Sequence, residues 1–363
     1  ILTTMIKIES ASKERIEAIV KSKKTDKILV EKTVRALMLL EGLAKSDLYF
    51  VFKGGSALML LLNSSKRLSI DIDIVVPDKY VEFEDILKNI CKDYGFTRFE
   101  KQKREVKTQI DKVHYKLFFE SVVEGKESNI LLDILKEDIH YQDIIEIPID
   151  SFFVELDGTA IPVKVPDFNN ILGDKLTAFA PNTTGIPYRK GDKEMGMEII
   201  KQMYDIGCLC EYADNPEVIS SVFSSFAHTE IQYRGAICTV PDVLDDIMDN
   251  SLEICLRGNH GKADFSILSK GIVQVKGFIY SETFHLEKAI TYAAKAAYIS
   301  TVIKYGQKEI KKYDAGKALE MRNWLIQEPI KTKLNKLKKT NPEAFFYLYQ
   351  LSEIIRNANK IIP

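Results

Sequence analysis

Apolar residues recur at three- and four-residue intervals from about Glu9 to Leu43, through Ile16, Ile19, Val20, Leu29, Val30, Val34, Leu37, Met38 and Leu40. That period predicts helix. Leu48-Tyr-Phe-Val-Phe52 is short, apolar and aromatic, and suits a buried strand better. Gly54-Gly55-Ser56 breaks it, and a helix is predicted from there through Ala57–Leu62. A second strand is expected over Ile70–Val76, closed by Pro77, then a helix from about Val81 to Cys91. His114–Val123 and Asn129–Leu135 read as strands around Glu124-Gly-Lys-Glu-Ser, as in a hairpin. More strands are expected near Asp143–Ile149 and Phe152–Val165.

The pattern changes after Pro166. Glycine and proline thin out, and helical periodicity dominates near Asn169–Phe179, Met195–Cys210, Glu217–Phe226, Val243–Leu256, Leu286–Tyr305 and Pro342–Ala358. Pro181–Met197, with Gly185, Pro187 and Gly191, reads as a loop and a candidate mobile flap. The expected class is α+β: a mixed sheet with helices over residues 1–165, then an all-helical domain over 166–363. No internal repeat is visible.

Composition narrows the class. At 363 residues the chain is too long for one compact core, in keeping with two domains. With 45% hydrophobic residues and 51 Lys+Arg against 52 Asp+Glu, it is neither disordered nor supercharged. The longest apolar stretch, Ala289–Ile303, is interrupted by Lys295, so no membrane span is expected. The N-terminal residues lack the apolar core and cleavage site of a signal peptide. Five scattered cysteines read as reduced thiols of a cytoplasmic protein, and the Cys208/Cys210 spacing does not fit zinc. Charge is uneven, however. Residues 301–363 carry 11 Lys and 2 Arg against 5 Glu and 1 Asp, or +7, leaving −8 for the rest. The run from Lys331 to Lys339 is either a solvated face or a phosphate-tracking surface for nucleic acid.

Three features of the first domain carry chemistry. Lys53-Gly54-Gly55-Ser56 joins a strand to a helix, where glycine lets backbone approach an anion and helix-terminal amides face it. The loop is not a Walker A motif, because no GK[ST] closes it. Asp71 and Asp73, two apart on a predicted strand, share one face while Ile70, Ile72 and Ile74 pack behind. Adjacent carboxylates repel, and a divalent cation is the obvious agent to compensate them; the alternative is solvated acids on an exposed edge strand, which the flanking isoleucines oppose because they imply one covered face. Asp133 lies in the apolar strand Asn129–Leu135 and needs a partner, either a salt bridge or a metal shared with Asp71 and Asp73.

Phe52-Lys-Gly-Gly-Ser-Ala-Leu58 followed by Lys66-Arg-Leu-Ser-Ile-Asp-Ile-Asp-Ile74 resembles the AbiEii/AbiGii-type nucleotidyltransferases, toxins of toxin–antitoxin and phage-defence pairs within the DNA polymerase beta superfamily. Asp174-Lys175-Leu-Thr-Ala178 resembles that family's lysine element, and Lys201-Gln-Met-Tyr-Asp205 its later aspartate element. The resemblance implies that Gly54, Gly55 and Ser56 hold an NTP triphosphate and that Asp71, Asp73 and Asp133 hold Mg²⁺, two ions in all. Lys175 would neutralise phosphate, Asp205 would order that lysine or the metal shell, and Arg67 would brace the loop or lie at the surface. It further implies NMP transfer with pyrophosphate release to an RNA acceptor such as a tRNA 3′ end, and a cognate antitoxin. A small-molecule or protein acceptor, or an NTP-binding regulatory module with little turnover, is the alternative.

Overall fold

The computed structural model describes residues 6–63, 66–102 and 111–361. The chain forms two compact units. The first comprises residues 1–167 together with Gly277–Thr283, and the second comprises Phe168–Lys276 with Phe284–Pro363.

In the first unit the long helical stretch divides into α1 (Lys13–Lys23) and α2 (Lys27–Lys45). Lys24 takes a left-handed backbone at the end of α1, and the Asp26 side chain accepts the Leu29 amide to start α2. β1 (Val51–Lys53) leads directly into α3 (Gly54–Leu61), and β2 (Ile72–Val75) follows. Then come α4 (Glu84–Tyr94), β3 (Arg98–Lys101), β4 (Asp111–Glu120) and β5 (Glu127–Lys136). These strands form a five-stranded sheet ordered β1-β2-β5-β4-β3, in which β2 and β5 run parallel and the other neighbours antiparallel. β6 (Ile144–Pro148) and β7 (Pro162–Pro166) form a separate antiparallel pair.

One sheet face is apolar: Ile72, Ile74, Val113, Tyr115, Leu117, Leu132 and Ile134 are buried there, in one core with Leu37, Leu40 and other residues of α2. Three buried polar side chains of α2 tie this core to its rim. Glu31 accepts the Ser121 hydroxyl and the Val122 amide at the β4–β5 turn. Arg35 donates to the Tyr94 carbonyl at the end of α4, and Glu41 accepts the Ile6 amide and the Tyr94 hydroxyl.

The second unit contains α5 (Phe168–Ala178), a short hairpin of β8 (Arg189–Lys190) and β9 (Lys193–Glu194), α6 (Gly196–Leu209), α7 (Pro216–Arg234), α8 (Val240–Cys255), α9 (Phe265–Gln274), α10 (Leu286–Lys304), α11 (Leu337–Thr340) and α12 (Pro342–Ile361). α10 is central, packing on α6, α8 and α12. It is buried from Ala289 to Val302, the behaviour of a helix apolar on all sides. Lys295, its one buried lysine, meets Glu343 of α12 at 2.7 Å. Burial alone would lower the lysine's pKa; the Glu343 carboxylate outweighs that and holds it above its usual value.

Several expectations are corrected. The strand expected over Phe152–Val165 exists only from Pro162, because the chain first turns at Ser151–Val154 and again at Gly158, whose φ is +100°. The strand expected over Ile70–Val76 begins at Ile72. The polar strand β3, the β8–β9 hairpin and α9 lay outside the predicted elements. No described helix is long and apolar enough to cross a membrane.

Candidate active site

The β-ladders set four chemically active side chains in one row. Lys53 of β1 pairs with Asp73 of β2, Asp73 with Asp133 of β5, and Asp133 with His114 of β4. Residues directly opposite in neighbouring strands share a face, so all four project from the side away from the apolar core. Neighbouring strands lie about 4.8 Å apart, which brings the two carboxylates side by side. His114 Nδ1 lies 2.6 Å from Asp133 Oδ1. Lys53, Asp73, Lys112, His114 and Asp133 line a cavity of about 180 Å³ with Ile74, Ile134 and Leu135. A larger cavity in the same unit, about 550 Å³, is lined by Phe83, Tyr115, Lys136 and others and contains none of the sequence-predicted residues.

The glycine turn abuts this row. Gly54 has φ +79°, in the left-handed region, and a Cβ there would stand 2.3 Å from Asp73 Oδ2. Only glycine lets the β1–α3 turn come so close to the carboxylate. A Cβ on Gly55 would meet Arg67 Nη2 at 2.6 Å and Ser69 Oγ at 2.9 Å. Arg67 is buried, 7% exposed, and its Nη1 donates to the Leu68 carbonyl at 2.9 Å, so it is not a surface arginine. The segment Gly277–Thr283 fastens this stretch: Leu68 N–H donates to the Phe278 carbonyl at 2.9 Å, and Arg67 forms an antiparallel bridge with Ile279.

Two sequence-based roles change. The Ser56 hydroxyl donates to the Asp71 carbonyl, and Ser56 is buried. It therefore ties the start of α3 to the chain before β2. Asp71 precedes β2, outside the register that aligns Asp73 with Asp133. Among the described residues no three His, Cys, Asp or Glu side chains converge closely enough to hold a metal ion, so the expected three-acid cage is not formed. The donors still suit magnesium, which is often held by one or two carboxylates, with phosphate and water oxygens completing its shell. Asp73 and Asp133 are two such hard donors, placed side by side.

Residues 38–265, well over half of the chain, match the family described as "Nucleotidyl transferase AbiEii toxin, Type IV TA system". The chain belongs to the AbiEii family of nucleotidyltransferase toxins. Its activity is that of a nucleotidyltransferase. Two solved structures are similar. JHP933 from Helicobacter pylori is 14% identical, with a TM-score of 0.41, covering 76% of this chain and 90% of that one. An H. pylori protein labelled a candidate nucleotidyltransferase is 15% identical, with a TM-score of 0.42, covering 77% and 95%. At these scores neither likeness bears on what the chain does. No curated protein matches it.

The remaining AbiEii-like residues lie in the helical unit. Lys175 of α5 meets Asp205 of α6, Nζ to Oδ2 at 3.0 Å, and also donates to Gln202 Oε1 at 3.0 Å. Their side chains are 9% and 2% exposed, so this is a buried ion pair. Lys201, four residues before Asp205, pairs with Glu198 at 3.3 Å. The 181–197 segment is anchored rather than free. Asp246 of α8 accepts the Asn182 amide, Asn182 Nδ2 and the Thr183 hydroxyl at 2.8–3.0 Å. The Tyr188 hydroxyl bonds Asn250, and Glu194 pairs with Lys270 of α9 at 3.0 Å.

His114 and Lys53 were the residues that motif reasoning passed over. Lys53 stands inside the recognised Lys-Gly-Gly-Ser run. For His114 the signal was the hairpin itself: with its turn at Ser121–Lys126, His114 falls opposite Asp133.

Proposed function

We propose that this AbiEii-family chain transfers a nucleoside monophosphate from an NTP to an RNA acceptor, a tRNA 3′ end being the leading case, with release of pyrophosphate. In this reading it acts as the toxin of a toxin–antitoxin pair. The observation that carries the reading is the opposition of Asp73 and Asp133 beside a turn that only glycine can make. Asp73 and Asp133 are the residues that would hold Mg²⁺. Held there, the ion would neutralise phosphate charge. Gly54 and Gly55 admit the phosphates to the backbone, where the first amides of α3 donate to them. Lys53, in register with Asp73, adds positive charge on the same face. Arg67 keeps the turn in place from behind Gly55. In the helical unit, Lys175 is the phosphate-neutralising group and Asp205 orders it.

An RNA acceptor is supported by the charge of residues 301–363, +7 by residue count. Part of the basic run is structural: Lys331 donates to the Asn259 and His260 carbonyls, and Lys338 to those of Arg322 and Trp324. Lys333, Lys336 and Lys339 are exposed and remain for phosphate. The test incubates the protein with Mg²⁺, each labelled NTP in turn, and total tRNA, total protein or no macromolecule. Label should enter RNA, and transfer should fall steeply with salt through counterion release. No transfer to any acceptor, or equal transfer by Asp73→Asn, defeats the reading. Label in protein or a small molecule keeps the enzyme and replaces the acceptor.

A further inference from the structure

We infer that His114 is a positioning residue for Asp133, an inference that rests on the nucleotidyl-transfer reading of the Asp73/Asp133 pair. A carboxylate placed opposite another on the neighbouring strand is pushed away from it, and an aspartate side chain has staggered alternatives into which it can swing. Where two carboxylates must act together, something has to hold them. Asp133 has Asp73 on one side of its strand and His114 on the other.

His114 is well placed to hold it. The β4–β5 ladder runs over ten residue pairs, which fixes the two backbones relative to each other. Val113 and Tyr115, on either side of His114, are buried in the core and lock the strand's facing. The imidazole is 12% exposed, and its Nδ1 lies 2.6 Å from Asp133 Oδ1, within hydrogen-bond distance. With Nδ1 carrying the proton, His114 donates to Oδ1 and leaves the second carboxylate oxygen for a cation. This follows the general arrangement in which a ligating carboxylate is itself hydrogen-bonded by an outer partner that sets its direction. His114 touches neither nucleotide nor acceptor in this assignment; it acts through Asp133.

The test uses the full chain and Mn²⁺ alone as the probe, read by calorimetry, beside steady-state transfer kinetics and thermal melting. His114→Ala should weaken Mn²⁺ binding about 10- to 100-fold. It should also lower kcat by a similar factor while KM for NTP stays put. His114→Asn, whose amide nitrogen can donate near the position of Nδ1, should restore most of both. If His114→Ala does not fold, His114→Leu against His114→Asn decides, because leucine fills the space without a donor. His114→Ala or His114→Leu binding Mn²⁺ as the wild type does overturns the role of His114 alone. Wild-type protein that binds no Mn²⁺ and transfers no label overturns the nucleotidyl-transfer reading and, with it, this one.

Discussion

Asp73 and Asp133 stand directly opposite each other on β2 and β5, the parallel pair of the five-stranded sheet. Like charges in that relation cost stability, about 0.2–1 kcal/mol. The sheet flanks them with Lys53 and His114 in the same row, which reduces the repulsion without removing its source. An arrangement chosen for folding alone would place a neutral or apolar residue at one of the two positions. In the proposed reading this row receives a cation, and the next strand position on each side carries Lys53 or His114.

Asp73→Asn should separate activity from stability. If Asp73 holds the metal as proposed, losing its charge should remove several kcal/mol of transition-state stabilisation, or about 10²–10³-fold in transfer rate. The same change relieves the repulsion from Asp133, so the urea midpoint should hold or rise by the equivalent of up to about 1 kcal/mol. A variant that loses rate and stability together would show Asp73 to be a structural residue.

The amino-acid pattern disclosed the glycine turn, Asp73 and Asp133, because a carboxylate in an apolar strand is conspicuous wherever it is found; Asp71, expected on the same strand, lies just before it. Lys175 and Asp205 were named through the family resemblance, and they lie 30 residues apart in the chain and meet in a buried ion pair. Register was less visible. Centring the hairpin on Glu124–Ser128 shifts the pairing, and then His114 no longer falls opposite Asp133. A slip of one residue turns a side chain to the other face, so motif spacing alone could not find the row. β3 was missed for a related reason. Arg98-Phe-Glu-Lys101 is an edge strand on which only Phe99 is apolar, and its pairing with β4 decides its structure.

Gly54→Ala should damage the site more than an ordinary glycine substitution. A left-handed backbone costs a non-glycine residue about 1–2 kcal/mol, and here the added methyl also strikes Asp73 Oδ2. Gly125 makes the comparison fair: its φ is +66° but nothing lies within 4 Å of its would-be Cβ. Gly125→Ala should lose only the backbone portion of the stability and retain full transfer, whereas Gly54→Ala should lose transfer as well. Equal activity in the two variants would remove the turn from the site.

Removing either member of the Lys175–Asp205 pair leaves a buried charge without its partner. Asp205→Ala and Lys175→Met should each destabilise by about 3–5 kcal/mol in denaturant unfolding. The double variant Lys175→Met/Asp205→Leu should recover much of that loss, since matched apolar groups replace buried ion pairs at little cost. If Lys175 has the phosphate-neutralising role proposed for it, transfer should stay low in the double variant, because that charge is still absent. Full activity there would mean the pair only holds α5 to α6.

Asp246 gives the anchored 181–197 segment a pH dependence whose sign differs from that of an ordinary paired aspartate. Burial pushes its carboxyl above the ordinary 3.8, and the hydrogen bonds from Asn182 and Thr183 offset that only in part. Between 3.8 and the raised value the folded protein binds a proton that the unfolded chain has released. Proton uptake is then greater in the folded state, so this group's contribution to stability falls as pH rises through that window and is constant above it. Other carboxylates titrate in the same range, so the informative quantity is wild-type stability minus that of Asp246→Asn, measured by urea midpoints at successive pH values. That difference should decrease with pH and then level off. A difference that instead grows with pH would mean that the Asn182 and Thr183 bonds outweigh burial and hold the carboxyl below its ordinary value.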